Sequence, residues 1–166
     1  MSAIITSSGH VLAAQQFSKK TPYYFKLGKD ATWTANPQAP NENSDVATLV
    51  GLKRVERVAF VVPDAAGSIQ YRGKTYSEVS ESNIFTRKAN YVMLTADIQD
   101  GDFPLGTEYN QLVLCTNVVT KPGKANSYTL TPNDITSQGN TVIADYRRSV
   151  IMDESSIVHL TLILEF

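Results

Sequence analysis

Apolar and polar positions alternate most strictly at the end of the chain. In Ile157-Val-His-Leu-Thr-Leu-Ile-Leu-Glu-Phe166, an extended backbone puts Val158, Leu160, Leu162, Leu164 and Phe166 on one side. His159, Thr161 and Glu165 fall on the other. A face of five large apolar side chains makes this strand integral to the fold and predicts a central or near-central place in a β-sandwich. Two further runs, Tyr91–Ile98 and Gln111–Val119, are rich in β-branched and aliphatic residues and predict strands of one sheet. Turn signals at Asp100-Gly-Asp102 and Pro104-Leu-Gly106 separate them. Val55–Val62 reads as a strand that Pro63-Asp64 stops, and a hairpin is expected around Arg72-Gly-Lys74.

The first half is less regular. Val11–Phe17 holds good helix formers, so a short helix or arm is expected over about residues 1–20, with Ser7 or Ser8 as its cap. Tyr23–Leu27 predicts an aromatic strand ended by a turn at Gly28-Lys-Asp30. From Thr32 to Ser44, Pro37 and Pro40 oppose both ladder pairing and helix, which predicts a surface loop anchored by Trp33. Val46–Leu52 is read as a helical turn or connecting segment, and Ser127–Leu130 as a short strand. Thr141–Tyr146 and Val150–Met152 stay undecided between strand and loop. Together these elements predict one mainly β domain over residues 1–166, an antiparallel sandwich with one or two short helices, with an α+β arrangement as the alternative.

Composition narrows the function. The 166 residues carry 15 basic and 16 acidic side chains, a formal net charge of -1, so the concentrated positive field of a nucleic-acid binder is not expected. The single cysteine, Cys115, excludes an internal disulfide and a cysteine-based zinc site within one chain. No run approaches the roughly 18 apolar residues that span a bilayer, and residues 1–17 lack a signal-peptide pattern, so folding in a cytoplasm is expected.

Candidate chemistry is sparse. His10 lies in a polar N-terminal turn and His159 on the second face of a strand, neither beside an evident nucleophile. Cys115, inside an apolar run, reads as a small buried side chain rather than a reactive thiolate. Asp97, Asp100 and Asp102 bunch near a glycine turn, but the spacing fails a calcium loop, and a solvated turn is the plainer reading. Lys53, Arg54 and Arg57, and Arg147 with Arg148, read as solvated or salt-bridged faces. No enzyme, cofactor or metal is expected. Tyr23, Tyr24, Phe25 and Trp33 admit two readings: rings that pack the strand and pin the loop, or a sugar-stacking platform.

The run Tyr23-Tyr-Phe-Lys-Leu-Gly-Lys-Asp-Ala-Thr-Trp33, followed by Asn36-Pro-Gln-Ala-Pro40, resembles the opening of baseplate wedge proteins from contractile-tailed bacteriophages. The later Tyr91–Ile98 strand, the strand around Val113-Leu-Cys115 and the closing apolar strand follow in similar order. Met1-Ser-Ala-Ile-Ile-Thr6 resembles the N-terminal domains of tail fibres that plug into baseplates. The resemblance implies a virion structural protein that scaffolds neighbouring wedge subunits or tail fibres; synthesis in the host cytoplasm is expected with it, and a homodimer is one arrangement left open. It implies no reaction, nucleic acid or membrane. Tyr23, Tyr24, Trp33, Pro37 and Pro40 are the candidate interface, and a carbohydrate-binding host-attachment module is the alternative function.

Overall fold

The computed structural model describes residues 3–20, 22–33, 37–153 and 157–166. The chain begins with α1 (Ser7–Lys19) and continues with β1 (Tyr23–Lys29), β2 (Thr48–Arg54), β3 (Arg57–Pro63), β4 (Ile69–Tyr71), β5 (Lys74–Val79) and β6 (Tyr91–Ile98). The second half holds β7 (Glu108–Thr116), β8 (Val119–Thr120), β9 (Thr129–Leu130), β10 (Ile135–Ser137), β11 (Asn140–Ile151) and β12 (Val158–Glu165). Single 3₁₀ turns occupy Glu81–Asn83 and Pro132–Asp134. The chain is mainly β, its paired strands antiparallel, with one α-helix among the described residues.

Two compact units emerge from the contacts: Met1–Thr21 with Glu56–Thr95 and Thr161–Phe166, and Pro22–Val55 with Ala96–Leu160. The second holds the sheet β11-β7-β1-β2-β9 and the small β10-β8 pair. The remaining sheet runs β12-β6-β3-β5-β4.

β1 lies in the middle of its sheet, between β2 and β7, and six of its seven residues are buried. Burial on both faces explains why Tyr-Tyr-Phe-Lys-Leu shows no alternation. The strand runs on through Gly28 and Lys29, past the expected turn, because both residues pair with β2 across a register shift at Leu27/Gly28. Val46–Leu52 is not helical. Thr48–Arg54 forms β2 instead, pairing with β1 on one side and β9 on the other, so tertiary pairing overrides the helix propensity of Ala47 and Leu49. The undecided segments join into β11, a twelve-residue strand with register shifts at Thr141/Ile143 and Tyr146/Val150.

The hairpin at Arg72-Gly73 is present, with φ of 48° and 77°. Two successive positive values match the tight turn whose twist suits antiparallel strands. α1 is capped by Thr6, not by Ser7 or Ser8: the Thr6 Oγ1 accepts from the Gly9 amide at 3.3 Å. Val11 and Ala14 form its buried stripe, and the Phe17 ring lies 4.9 Å from that of Phe166.

The closing strand departs from expectation in one respect. β12 buries Leu160 and Leu162 completely, but it lies at the end of its sheet, with β6 as its neighbour. Alternation reports how many faces are buried; it carries no information about how many strands flank the element.

Candidate subunit interface: a loop pinned over a buried lysine

The proline loop is fastened to the sheet at both ends. At its start, Asn110 grips Asp30 twice: its Oδ1 accepts from the Asp30 amide and its Nδ2 donates to the Asp30 carbonyl, both at 2.9 Å. Asp30 in turn accepts from the amide and hydroxyl of Thr32. Both bonds hold its carboxyl below the usual range.

The far end is held by Lys26, from the middle of β1. Its register partners are Leu52 and Val113, and its side chain is fully buried. The ammonium donates to Asp45 Oδ1 at 2.6 Å and reaches Thr141 Oγ1 at 3.4 Å. Burial opposes ionisation of Asp45, but the Lys26 ammonium, the Val46 amide and Thr141 outweigh it and keep the carboxyl below its ordinary value. Tyr146 Oη donates to the Asp45 carbonyl at 2.6 Å, and the buried Gln111 accepts from the Ala47 amide at 2.7 Å. Three side chains from β1, β7 and β11 thus clip residues 45–47 onto one face of the sheet.

Two further features shape the loop. A Cβ built on Gly28 would come 2.4 Å from Val46 Cβ, so only glycine lets the loop lie this close. Gly28→Ala is therefore expected to cost about 1–3 kcal/mol of stability, as overpacked sites do, and to raise proteolysis near Val46. Chemical denaturation with limited proteolysis checks this; an unchanged midpoint and cleavage rate would show that Val46 yields freely. Outside the clip, the Asn41 and Asn43 amides donate to Ser44 Oγ and Asn41 Oδ1, a local brace of the kind such side chains supply in turns. A surface groove of about 420 Å³ runs between this braced segment and β11, lined among others by Asn41, Asn43, Ser44, Asn140 and Thr141.

The candidate interface residues separate. Tyr23 and Tyr24 are 1 % and 2 % exposed. The Tyr24 ring belongs to a core cluster with Leu52, Cys115, Leu130 and Ile135. Neither tyrosine is available to a partner in this conformation. Trp33 is half-buried, its ring 5.0 Å from that of Tyr146, while Pro37 is half-buried and Pro40 exposed. Asn36, which belongs to the loop motif, lies outside the described residues. Sequence reasoning missed Lys26, Asp45, Gln111 and Tyr146. The one available signal was a lysine in the middle of an otherwise aromatic and aliphatic strand, where a charge needs a dedicated counter-ion.

Elsewhere, titratable groups are tied into structure. Cys115 is fully buried, its thiol 3.5 Å from the Tyr24 carbonyl, and burial pushes it up to about 12, far from a reactive thiolate. Asp102 is not the solvated turn residue expected. It meets the buried Lys53 at 2.8 Å and accepts from the Thr129 hydroxyl and the Gln99 amide. Burial works against its charge, yet those partners prevail and its carboxyl is lowered. His159 Nδ1 lies 2.7 Å from Asp97, Arg57 pairs with Glu78, Arg147 pairs with Asp145 at 2.5 Å, and Arg54 stacks over Tyr128. Among the described residues, no three histidine, cysteine or acidic side chains converge as a metal site, and no helix is long and apolar enough to cross a membrane.

A family model described as baseplate wedge 3 tail fiber network component matches residues 2–166. The chain belongs to that family. Its role is structural, in the baseplate of a phage tail, and its interactions are with other baseplate proteins or fibres. A search of curated proteins finds no match.

Proposed function

We propose that this baseplate component is a wedge or peripheral scaffold of a contractile tail, and that it holds a neighbouring wedge subunit or a tail fibre on the surface formed by Trp33, Pro37, Pro40 and the adjoining groove. The family match over residues 2–166 carries the reading. The geometry supports the choice of surface. Residues 45–47, clipped by Lys26, Gln111 and Tyr146, are held in place before any partner arrives, so binding does not have to supply the entropy of ordering that segment. The groove's asparagine, serine and threonine side chains offer directed hydrogen-bonding groups beside the acidic Glu42 and Asp45, as specific interfaces with many polar contacts require. A sugar platform is a weaker reading, because burial of Tyr23 and Tyr24 leaves Trp33 as the only ring of the three at the surface.

The test is a pair of surface substitutions, Pro40→Glu with Asn43→Arg, introduced into the phage and followed by mass spectrometry of purified tails. Neither side chain joins the clip, so the melting temperature is expected to stay constant. Incorporation is expected to fall about tenfold or more, since unpaired charges at an interface cost on the order of 1.4 kcal/mol or above. Normal incorporation of the folded variant would move the contact surface elsewhere on the molecule.

A further inference from the structure

The two five-stranded sheets present four edges, and three of them are protected. β9 and β4 are two and three residues long. β11 is long, but its register breaks twice and it carries Arg147 and Arg148. Shortness, bulges and charge are the devices that stop an edge from pairing with another chain. β12 is the least protected: eight residues, Val-His-Leu-Thr-Leu-Ile-Leu-Glu, with no proline, glycine or lysine, one acidic side chain at its end, Glu165, and no strand beside its outer edge among the described residues.

The direction of its backbone groups follows from one bond. The Phe166 amide donates to the Asn90 carbonyl at 2.9 Å. The side-chain pairs His159 with Asp97 and Glu165 with Tyr91 give the same antiparallel register. Inward-facing groups recur at every second residue of an antiparallel ladder, so Leu164, Leu162 and Leu160 bond to β6. The N–H and C=O of His159, Thr161, Ile163 and Glu165 point away from the sheet. Thr161 and Ile163 are only half-buried, and the His159 side chain is 71 % exposed.

We infer that β12 is the interface between two copies of this chain, joined edge to edge and antiparallel about a two-fold axis at Leu162. In that register His159 faces the partner's Glu165, Thr161 faces the partner's Ile163 and Leu160 faces the partner's Leu164. Every outward amide and carbonyl finds its counterpart, roughly eight bonds in all. The imidazole and the carboxylate meet twice, once on each side of the axis. The register is selective. Moving the axis to Thr161 sets His159 against the partner's Ile163 and loses both imidazole–carboxylate pairs. A one-residue slip would set apolar against polar faces. A strand whose pattern complements its own reversal fits a second copy better than an unrelated partner.

The full chain is tested by sedimentation equilibrium at micromolar concentration. The expected mass is twice 18.2 kDa. Thr161→Pro removes an outward amide and none of the bonds to β6, as edge positions allow, so it is expected to give a folded monomer. The double variant Thr161→Cys with Ile163→Cys is expected to form an intermolecular disulfide on mild oxidation, whereas either single variant is not, because neither position faces itself. The buried Cys115 stays out of this reaction. A wild-type monomer throughout the range would overturn the inference. So would a folded Thr161→Pro dimer, or a dimer in which the two cysteines fail to cross-link. Should Thr161→Pro not fold, the cysteine pair decides alone.

Discussion

Leu162→Asp is expected to leave no soluble folded protein. Leu162 is 1 % exposed, and the strand positions on either side of it along the same face, Leu160 and Leu164, are aliphatic. Burying a carboxyl there uncharged still strands a hydrogen-bonding group, and burying it charged costs several kcal/mol more. Against a native stability of about 5–15 kcal/mol, that is enough to unfold a domain of this size. Leu160→Asp, at a fully buried position, is expected to behave alike. The graded control is Leu162→Ala, which removes apolar volume without adding charge and should lower stability by about 2–5 kcal/mol while leaving a folded chain. Soluble yield and circular dichroism of the three variants check this. A soluble, assembled Leu162→Asp protein would mean that this face is not packed as the structure has it.

Asp45→Ala should produce the second largest effect, and a larger one than its exposure suggests. Asp45 is 47 % exposed, but the side chain it neutralises is fully buried. Among the described residues, removing the carboxylate leaves the Lys26 ammonium with only the Thr141 hydroxyl at 3.4 Å. An orphaned buried charge costs about 3–5 kcal/mol. Adding Lys26→Met to Asp45→Ala replaces the pair by an apolar chain of similar length, so the double variant should recover most of the loss. Denaturant unfolding of the two singles and the double measures the coupling directly; additive effects would show that the pair contributes little. Acid supplies an independent check. The folded carboxyl lies below its ordinary 3.8, so the stability it contributes is present above that value and is lost as pH falls through the lower folded one. Cleavage of the 37–47 loop should therefore rise below about pH 4 in the wild type, and the Asp45→Ala/Lys26→Met variant should lack that rise.

The chain's own pattern was enough to recognise a mainly β protein with an N-terminal helix, the strands Tyr91–Ile98 and Val158–Glu165, the hairpin at Arg72-Gly73 and the buried Cys115. Each of these rests on local physics: period-two alternation, turn residues with positive φ, helix formers after a polar cap. The resemblance carried by Tyr23–Trp33 and the proline loop also led to the family that the full-length match shows.

Only the tertiary structure decided the rest, because the determinants lie far apart along the chain. Thr48–Arg54 is a strand because β1 and β9 flank it, not through its own residues. Tyr23 and Tyr24 look like contact residues in isolation and become core residues only when distant side chains close over them, Leu52, Cys115, Leu130 and Ile135 in the case of Tyr24. The Lys26 pair spans nineteen positions, and Tyr146 reaches Asp45 across 101, so no window of sequence contains the clip. The closing strand shows the division most plainly. Alternation determined which of its faces is buried, since that depends on successive side chains. Its place at the edge depends on which strands remain to pair with it, and that is settled only when the whole sheet has formed.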